Sequence, residues 1–348
     1  MAPSGFGLRH SFVIRHSSFV IVLIRYSLSV IANPFVIFLL ITLRAISELT
    51  QLRGPLFLAI GVFDGVHLGH RAVISTSARH AHSADGTPVV VTFDPHPAKV
   101  LRPQKAPHLL TATQHKIALI RNLGVAHLLV IEFSSEFAAT PPEQFISQLV
   151  AYSQALREIC VGHEWSFGKN RAGNLDLLKK LGASYNFNVV GIPPVMVDGE
   201  VVSSTSIRVA VETGDLNRAA KMLGREYTIL GTVMHGEAVG NKIGYPTANL
   251  SAHSEQFPPN GVYFAEAWIQ GVQHHGVVNL GFRPTVSRGE SQRTLEIHLL
   301  DFDRDIYGED VEIRFLQYLR PERKFESVDA LARQIEADVK QARELCAA

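Results

Sequence analysis

The spacing of hydrophobic and polar positions changes along this chain, and each change marks a different kind of element. Between residues 55 and 195, short continuous apolar runs alternate with stretches of helical spacing. The runs are PLFLAIGVFD (55–64), TPVVVTFDPHP (87–97), AHLLVIEF (126–133), REICVG (157–162) and NVVGIPPV (188–195). The helical stretches fall near 68–82, 114–124, 142–152 and 175–181. Strands apolar on both faces, separated by helices, predict a parallel sheet covered on both sides. From Tyr227 to Phe315 the pattern shortens to alternation with glycine turns, as in YTILGTVMHG, GVYFAEAWIQG, HHGVVNLGF, TLEIHLLDF and VEIRFLQYL. That pattern predicts an antiparallel barrel or sandwich. In the last segment Val328, Leu331, Ile335, Val339 and Leu345 fall near one helical face behind Ser327 as N-cap. A closing helix packed on the barrel follows. The linker between the two textures is placed at 222–226.

Residues 1–42 follow neither pattern. From Tyr26 to Leu43 no charge occurs, an apolar run of 18 residues. Such a length suits a membrane span, with Arg15 and Arg25 keeping its leading end in the cytoplasm. Membrane contact, if any, is then confined to 11–43. The near-repeat of SFVIRH and SSFVI also reads as translated low-complexity sequence outside the native domain. Against that, no methionine lies between Met1 and Met196 to supply a later start. An ordinary packed segment is the third reading, and the sequence leaves all three open.

Composition narrows the classes. With 348 residues, 46% of them hydrophobic, the chain can bury two sizeable cores. A net charge of +1 without a lysine or arginine block speaks against a broad nucleic-acid surface and leaves room for a local anion site. Cys160 and Cys346 are far apart and form no pairing pattern. They suggest a reducing compartment, hence a cytoplasmic location, and argue against structural zinc.

The chemistry begins at GVFDGVHLGH (61–70), a strand end, an Asp-Gly turn and two histidines at a helix start. Free N–H groups at a helix N-terminus favour phosphate, and His67 and His70 add mobile donors. Gly69 leaves room for a planar ligand near the backbone. A metal clamp is the weaker reading, because no third ligand is recognisable. At the end of the same half, VSSTSIR (202–208) places Ser204, Thr205 and Arg208 where two hydroxyls and a guanidinium face one anion. An ordinary N-cap explains Ser204 or Thr205 equally well, but leaves the arginine unexplained.

Together these motifs resemble the nucleotidyltransferases that carry His-x-Gly-His and Ser-Thr-x-x-Arg. TFDPHP (92–97), VGHEWSFGKNRAG (161–173), GYPTAN (244–249), NLGFRPT (279–285) and EIHLLDFDRDIYG (296–308) follow in order. The whole set is similar to the bacterial bifunctional riboflavin kinase/FMN adenylyltransferases, over about residues 43–345. The resemblance implies an α/β parallel-sheet nucleotidyltransferase domain at 43–222. It is followed by an antiparallel β-barrel kinase domain with a C-terminal helix at 223–348, and 1–42 is an extension. It implies phosphorylation of riboflavin to FMN and adenylylation of FMN to FAD, with ATP as co-substrate, Mg²⁺ as cofactor and no nucleic-acid partner. Oligomeric state stays undetermined.

By position, His67 and His70 contact ATP phosphates and stabilise the leaving pyrophosphate, and Gly69, Ser204, Thr205 and Arg208 hold the same chain. His96, Trp165 and Phe167 face the flavin, although plain core packing is the alternative for Trp165. Gly236 and Gly240 belong to a glycine-spaced loop around kinase phosphates, or to β-turns. Thr247 and Asn249 present hard oxygens suited to Mg²⁺. Glu296 is the implied general base toward the riboflavin hydroxyl. Its alternative is the solvated face of an edge strand. Two departures stand out: Glu164-Trp165-Ser166 replaces an Asp-Phe-Arg-like triplet, and Asn241 stands where arginine is frequent. The first supports an alternative, a riboflavin kinase whose first domain has degenerated. A membrane-tethered flavin-binding protein is the other.

Overall fold

The computed structural model describes residues 40–235, 244–253, 256–284 and 291–347, together with a short antiparallel pair formed by β1 (Arg15–His16) and β2 (Phe19–Val20). The first half is a parallel six-stranded sheet. Its strands are β3 (Ile41–Leu43), β4 (Leu56–Ile60), β5 (Thr87–Asp94), β6 (His127–Glu132), β7 (Leu156–Gly162) and β8 (Asn188–Ile192). They lie in the order β3-β6-β5-β4-β7-β8. All five residues of β4 are buried, as continuous apolar sequence requires of a central parallel strand. Helices α1 (Leu68–Ser83), α2 (Pro97–Leu101), α3 (Thr113–Arg121), α4 (Ser135–Ala138), α5 (Pro142–Tyr152) and α6 (Leu175–Tyr185) connect these strands. Pro142 starts α5 where its missing N–H costs nothing. The order reverses direction on either side of β4, because β5 flanks it on one side and β7 on the other. Ligands of such sheets gather beyond the carboxyl ends of the strands at that reversal, which here is the 61–67 loop.

The sheet begins earlier than the sequence pattern indicated. Ile41–Leu43 is an edge strand paired in parallel with His127–Leu129, and Leu43 is buried. The expected boundary between 42 and 43 therefore cuts through β3. The last three residues of the 18-residue apolar run belong to this sheet rather than to a membrane helix. No helix among the described residues is long and apolar enough to cross a membrane; the rest of the run, before Leu40, lies outside them.

A hairpin, β9 (Met196–Val197) and β10 (Glu200–Val201), leads into α7 (Ser204–Glu212) and α8 (Leu216–Leu223). The second half is a closed barrel in the order β11-β12-β15-β14-β13-β16. Its strands are β11 (Thr228–Met234), β12 (Ala248–Ala252), β13 (Gly261–Ile269), β14 (Val272–Pro284), β15 (Ser291–Leu299) and β16 (Asp310–Arg320). Closure leaves none of these six strands at an edge. Helix α9 (Val328–Ala347) packs outside the barrel through Val339 and Ala342 against Val262, Phe264, Val277 and Leu300. The Ser327 hydroxyl accepts from the Ala330 amide at 3.2 Å, so the expected cap is present. Val328, placed on the packed face by spacing alone, is instead 58% exposed in the first turn. A buried bidentate pair, Arg320 Nη2 to Asp338 Oδ2 at 2.7 Å and Nε to Oδ1 at 2.9 Å, pins the helix to β16.

The two halves share a core. One buried cluster runs from Leu110, Val202, Ile207, Val211, Met222 and Leu223 through Tyr227 into the barrel interior. Polar ties reinforce it. The Tyr227 hydroxyl donates to the Gln256 carbonyl at 2.7 Å, and the Gln256 amide donates to the Leu109 carbonyl at 3.0 Å. His115 of α3 meets both Thr228 and Glu312 of the barrel at 3.3 Å.

Candidate active site

The loop after β4 carries unusual backbone. Phe63 has φ of 54° and Val66 has φ of 41°. A β-branched residue with positive φ is rare and costs about 1–3 kcal/mol, a strain that collects at functional sites. These turns bring the chain sharply into α1, whose N-cap is His67. Its Nδ1 accepts from the His70 amide at 3.3 Å. The two imidazoles then stack, with centroids 3.5 Å apart and planes 19° from parallel. Two protonated rings would repel at that distance. Burial, joined by the charges of Arg225 and Arg208, holds His67 down at about 4. Burial and the neighbouring His67 and Lys116 hold His70 well below the usual histidine range. Both are neutral near pH 7, and Nδ1 of His70 is buried without a hydrogen-bond partner among the described residues.

Gly69 serves a different purpose from the one its spacing suggested. A side chain there would meet Cε1 and Nδ1 of His67 at 3.1 and 3.2 Å. On the side where a Cβ would sit, the space is taken by the folded-back His67 ring.

Asp64 is the hub that sequence reasoning read only as a turn residue. Its carboxylate accepts from the Leu110 amide at 3.3 Å, from the Thr111 amide at 3.0 Å and from Arg208 Nη2 at 2.5 Å. Its backbone carbonyl accepts from the Ser204 hydroxyl at 2.9 Å. Arg208 also donates through Nε to the His108 carbonyl at 2.7 Å. Ser204 and Arg208 are therefore brought to the 61–67 loop from 140 and 144 residues away. The cap of α7, however, is Ser203, whose hydroxyl accepts from the Ser206 amide at 3.1 Å. Thr205 is exposed in the first turn.

Lys116, also missed, is buried under the same loop and donates to the Val62 and Phe93 carbonyls at 3.1 and 3.2 Å. Burial lowers it to about 8, against the pull of Asp64 and Asp94. His96 caps α2 by accepting from the Ala98 amide at 3.1 Å. Burial lowers it, with Asp64 opposing and Arg208, Lys116 and Lys99 adding to the effect. The site thus gathers half-buried Arg208, buried Lys116 and two neutral histidines around Asp64, with Asp94 behind Lys116.

The 161–173 segment separates the two aromatic candidates. Trp165 is half-buried and stacks on Phe167 with centroids 4.5 Å apart. Phe167 is 7% exposed, packs against the core near Phe145, and lies so close over Gly173 that a Cβ there would meet its ring at 2.7 Å. Both its faces are covered, so Phe167 is a core support and not a ligand surface. At the departing triplet, Ser166 Oγ accepts from Arg171 Nε at 2.7 Å, which places a guanidinium beside the position where an arginine was expected.

In the barrel, strand register aligns three polar residues. Asn249 of β12 lies opposite Glu296 of β15, which lies opposite Asn279 of β14. Directly opposed residues share a face, and their neighbours Leu250, Leu295, Ile297, Val278 and Leu280 fill the interior. The polar row is on the outer face. All three residues are half-buried, and β15 is a central strand, so the edge-strand reading of Glu296 falls. Thr247, two residues before Asn249, is half-buried at the start of β12. His298 Nδ1 lies 2.8 Å from the Pro246 carbonyl and fixes the chain that carries Thr247. Asn279 opens the NLGFRPT motif, but its partner lies across a strand pairing that spacing along the chain does not show. Gly236, Gly240 and Asn241 lie outside the described residues. No group of three or more His, Cys, Asp or Glu side chains suited to a metal occurs among the described residues. The barrel's donors are instead hydroxyl, amide and carboxylate oxygens, which suit an ion held mostly by substrate phosphates.

A family model described as FAD synthetase matches residues 50–206, and one described as riboflavin kinase matches residues 223–346. A bifunctional riboflavin kinase/FMN adenylyltransferase of Buchnera aphidicola is 33% identical over 299 residues, 85% of this chain and 96% of that protein. The protein of the same description from Bacillus subtilis is 36% identical over 293 residues, 82% of this chain and 90% of that one. A solved chain described as a macrolide-efflux protein from Streptococcus pneumoniae superposes with a TM-score of 0.72 at 29% identity, covering 87% of this chain and 98% of its own.

Proposed function

Because this chain belongs to the bifunctional riboflavin kinase/FMN adenylyltransferase family, we propose which of its residues perform each reaction. The enzyme phosphorylates riboflavin to FMN with ATP, then transfers AMP from a second ATP to FMN, giving FAD and pyrophosphate. The observation that carries the assignment is the convergence of Ser204 and Arg208 on Asp64, in the loop that leads into His67 and α1, in one half, and the row Asn249–Glu296–Asn279 in the other.

In our reading, residues 43–222, with β3 added, form the adenylyltransferase, and 223–348 the kinase. In the first site the phosphate oxygen of FMN attacks the α-phosphorus of ATP and pyrophosphate departs. The nucleophile is already an anion and needs no base, so the residues position and neutralise. Neutral His67 and His70 serve as hydrogen-bonding groups rather than fixed cations, and Arg208 supplies the charge. His96 borders the phosphate cluster, and Trp165, supported from behind by Phe167, offers its open face to the flavin.

In the second site Glu296 takes the proton of the riboflavin 5′-hydroxyl as that oxygen attacks the γ-phosphorus and ADP leaves. Thr247 and Asn249 would hold Mg²⁺, which when bound neutralises charge on the transferring phosphoryl group. Asn279 orients Glu296 or its substrate hydroxyl from the neighbouring strand. A cytoplasmic location fits both reactions, since each consumes ATP.

The test is a time course of the purified chain with riboflavin, ATP and Mg²⁺, resolving FMN from FAD. FMN should rise first and FAD follow. FMN that accumulates without FAD would instead favour a kinase with a degenerate first half.

A further inference from the structure

Arg225 is the second residue after α8, at the head of the segment that enters the barrel. The residue before it, Gly224, ends α8 in the left-handed region with φ of 66°. It lies directly on the first turn of α1, where a Cβ would come within 2.5 Å of Leu68 Cδ2 and 2.9 Å of Arg71 Nη1. Its carbonyl accepts from Arg71 Nη1 at 3.2 Å. The linker is thus clamped beside the turn that carries His67 and His70.

At this point Arg225 is anomalous. Its Nε and Nη1 are both buried and have no hydrogen-bond partner among the described residues. A guanidinium carries five donors in a fixed fork and stays charged, so burying it without acceptors is costly. Burial lowers it to about 10, with the Glu312 carboxylate offsetting part of the effect from the barrel side. Its charge reaches His67 more strongly than that of Arg208 does, and it also reaches Tyr227. Unsatisfied buried donors beside a loop that Arg208 and Lys116 already flank call for an acceptor that arrives with the substrate.

We propose that Arg225 binds the pyrophosphate portion of ATP in the adenylyltransferase site, so that the segment leading into the kinase barrel completes the site of the preceding module. The proposal rests on the reading of His67, His70 and Arg208 as that phosphate site. As the bond from the α-phosphorus to the bridging oxygen breaks, negative charge collects on the departing pyrophosphate. A positioned guanidinium then contributes more to the transition state than to bound ATP.

The experiment uses the full chain with R225Q and R225K. Three quantities are measured: FAD formation from FMN against ATP concentration, inhibition of that step by inorganic pyrophosphate, and FMN formation from riboflavin. R225Q should lower kcat/KM for ATP in FAD formation by about tenfold or more and weaken pyrophosphate inhibition similarly, with kcat falling as well as KM rising. FMN formation should stay within about twofold of wild type, which reports an intact fold. R225K, which keeps the charge and loses the fork, should fall between. Wild-type ATP dependence and pyrophosphate inhibition in R225Q overturn the proposal. So does an equal loss of both activities that R225K leaves unrelieved. If R225Q fails to fold, R225K decides alone, and unchanged pyrophosphate inhibition in it overturns the proposal. A wild-type chain that makes no FAD would refute the underlying reading instead.

Discussion

The Asp64–Arg208 pair can be tested by a double-mutant cycle, because the geometry fixes what each substitution leaves behind. The side chains are 14% (Arg208) and 5% (Asp64) exposed, and the pair is 2.5 Å apart. Asp64→Asn keeps shape and one acceptor oxygen, but turns an N–H toward groups that are all donors: Arg208, the Leu110 amide and the Thr111 amide. Breaking a buried pair on one side costs about 3 kcal/mol, most of it the stranded charge. Arg208→Gln strands Asp64, yet two backbone amides still solvate that carboxylate, so about 2 kcal/mol is expected. With both charges gone no charge is stranded, only the new amide N–H facing the Leu110 and Thr111 donors, and the double variant should cost about 3 kcal/mol rather than the sum. The coupling energy is then about 2 kcal/mol. The assay is urea unfolding of the full chain for wild type, both single variants and the double variant. A coupling energy below about 0.5 kcal/mol would refute the claim that Asp64 and Arg208 hold one another in place. FAD formation should fall at least about tenfold in every variant that alters Arg208 or its partner, while FMN formation persists.

Other expectations follow from the same geometry. Lys116 keeps its proton to about 10.5 when unfolded but only to about 8 in the fold, so the unfolded chain binds more protons between those values. The Lys116 contribution to stability should therefore rise from pH 8 toward 10.5 by up to about 3 kcal/mol, opposed above about pH 9 by Cys160, whose thiol burial pushes up to about 12. Urea unfolding of Lys116→Met should lack that slope, and identical slopes for the two proteins would count against it. Glu296→Gln should lower FMN formation by about 10²–10⁴-fold while FMN is still converted to FAD. His70→Ala should do the reverse, with FMN accumulating; chromatography of the products distinguishes these from a common loss of fold. Phe167→Ala should cost about 3–5 kcal/mol in thermal unfolding as a core truncation. Trp165→Ala should cost less than about half of that while raising KM for FMN, and the opposite ranking would exchange their roles.

What was legible in the sequence is what depends on local periodicity. The buried strands, α1, α5, the barrel strands and the Ser327 cap all follow from spacing and capping chemistry. β3 was hidden because Ile41–Leu43 ends an uninterrupted apolar run, in which three strand residues carry no separate signal. Asp64 was hidden for another reason. Its turn is local, but its partners Leu110, Thr111 and Arg208 are 46, 47 and 144 residues away. Asn279 became visible only with strand register, and Phe167 lost its ligand role only once the packing over Gly173 was known.

The shared core changes what independence of the two reactions means. Helix α7 presents Ser204 and Arg208 to the adenylyltransferase loop, while Ile207, Ala210 and Val211 of the same helix join the cluster that continues into the barrel. Tyr227, His115 and Gln256 tie the barrel's first strands to the 108–116 segment, which also supplies Asp64 with its amide donors. Each reaction keeps its own reacting groups, so a substitution confined to a polar tip can silence one and spare the other. A substitution that disturbs packing cannot be so confined, because the free energy holding Arg208 in place is partly stored in contacts with the kinase barrel. Separation of the two activities is therefore evidence about chemistry only when the variant's unfolding midpoint is unchanged. Joint loss with a lowered midpoint reports the common core.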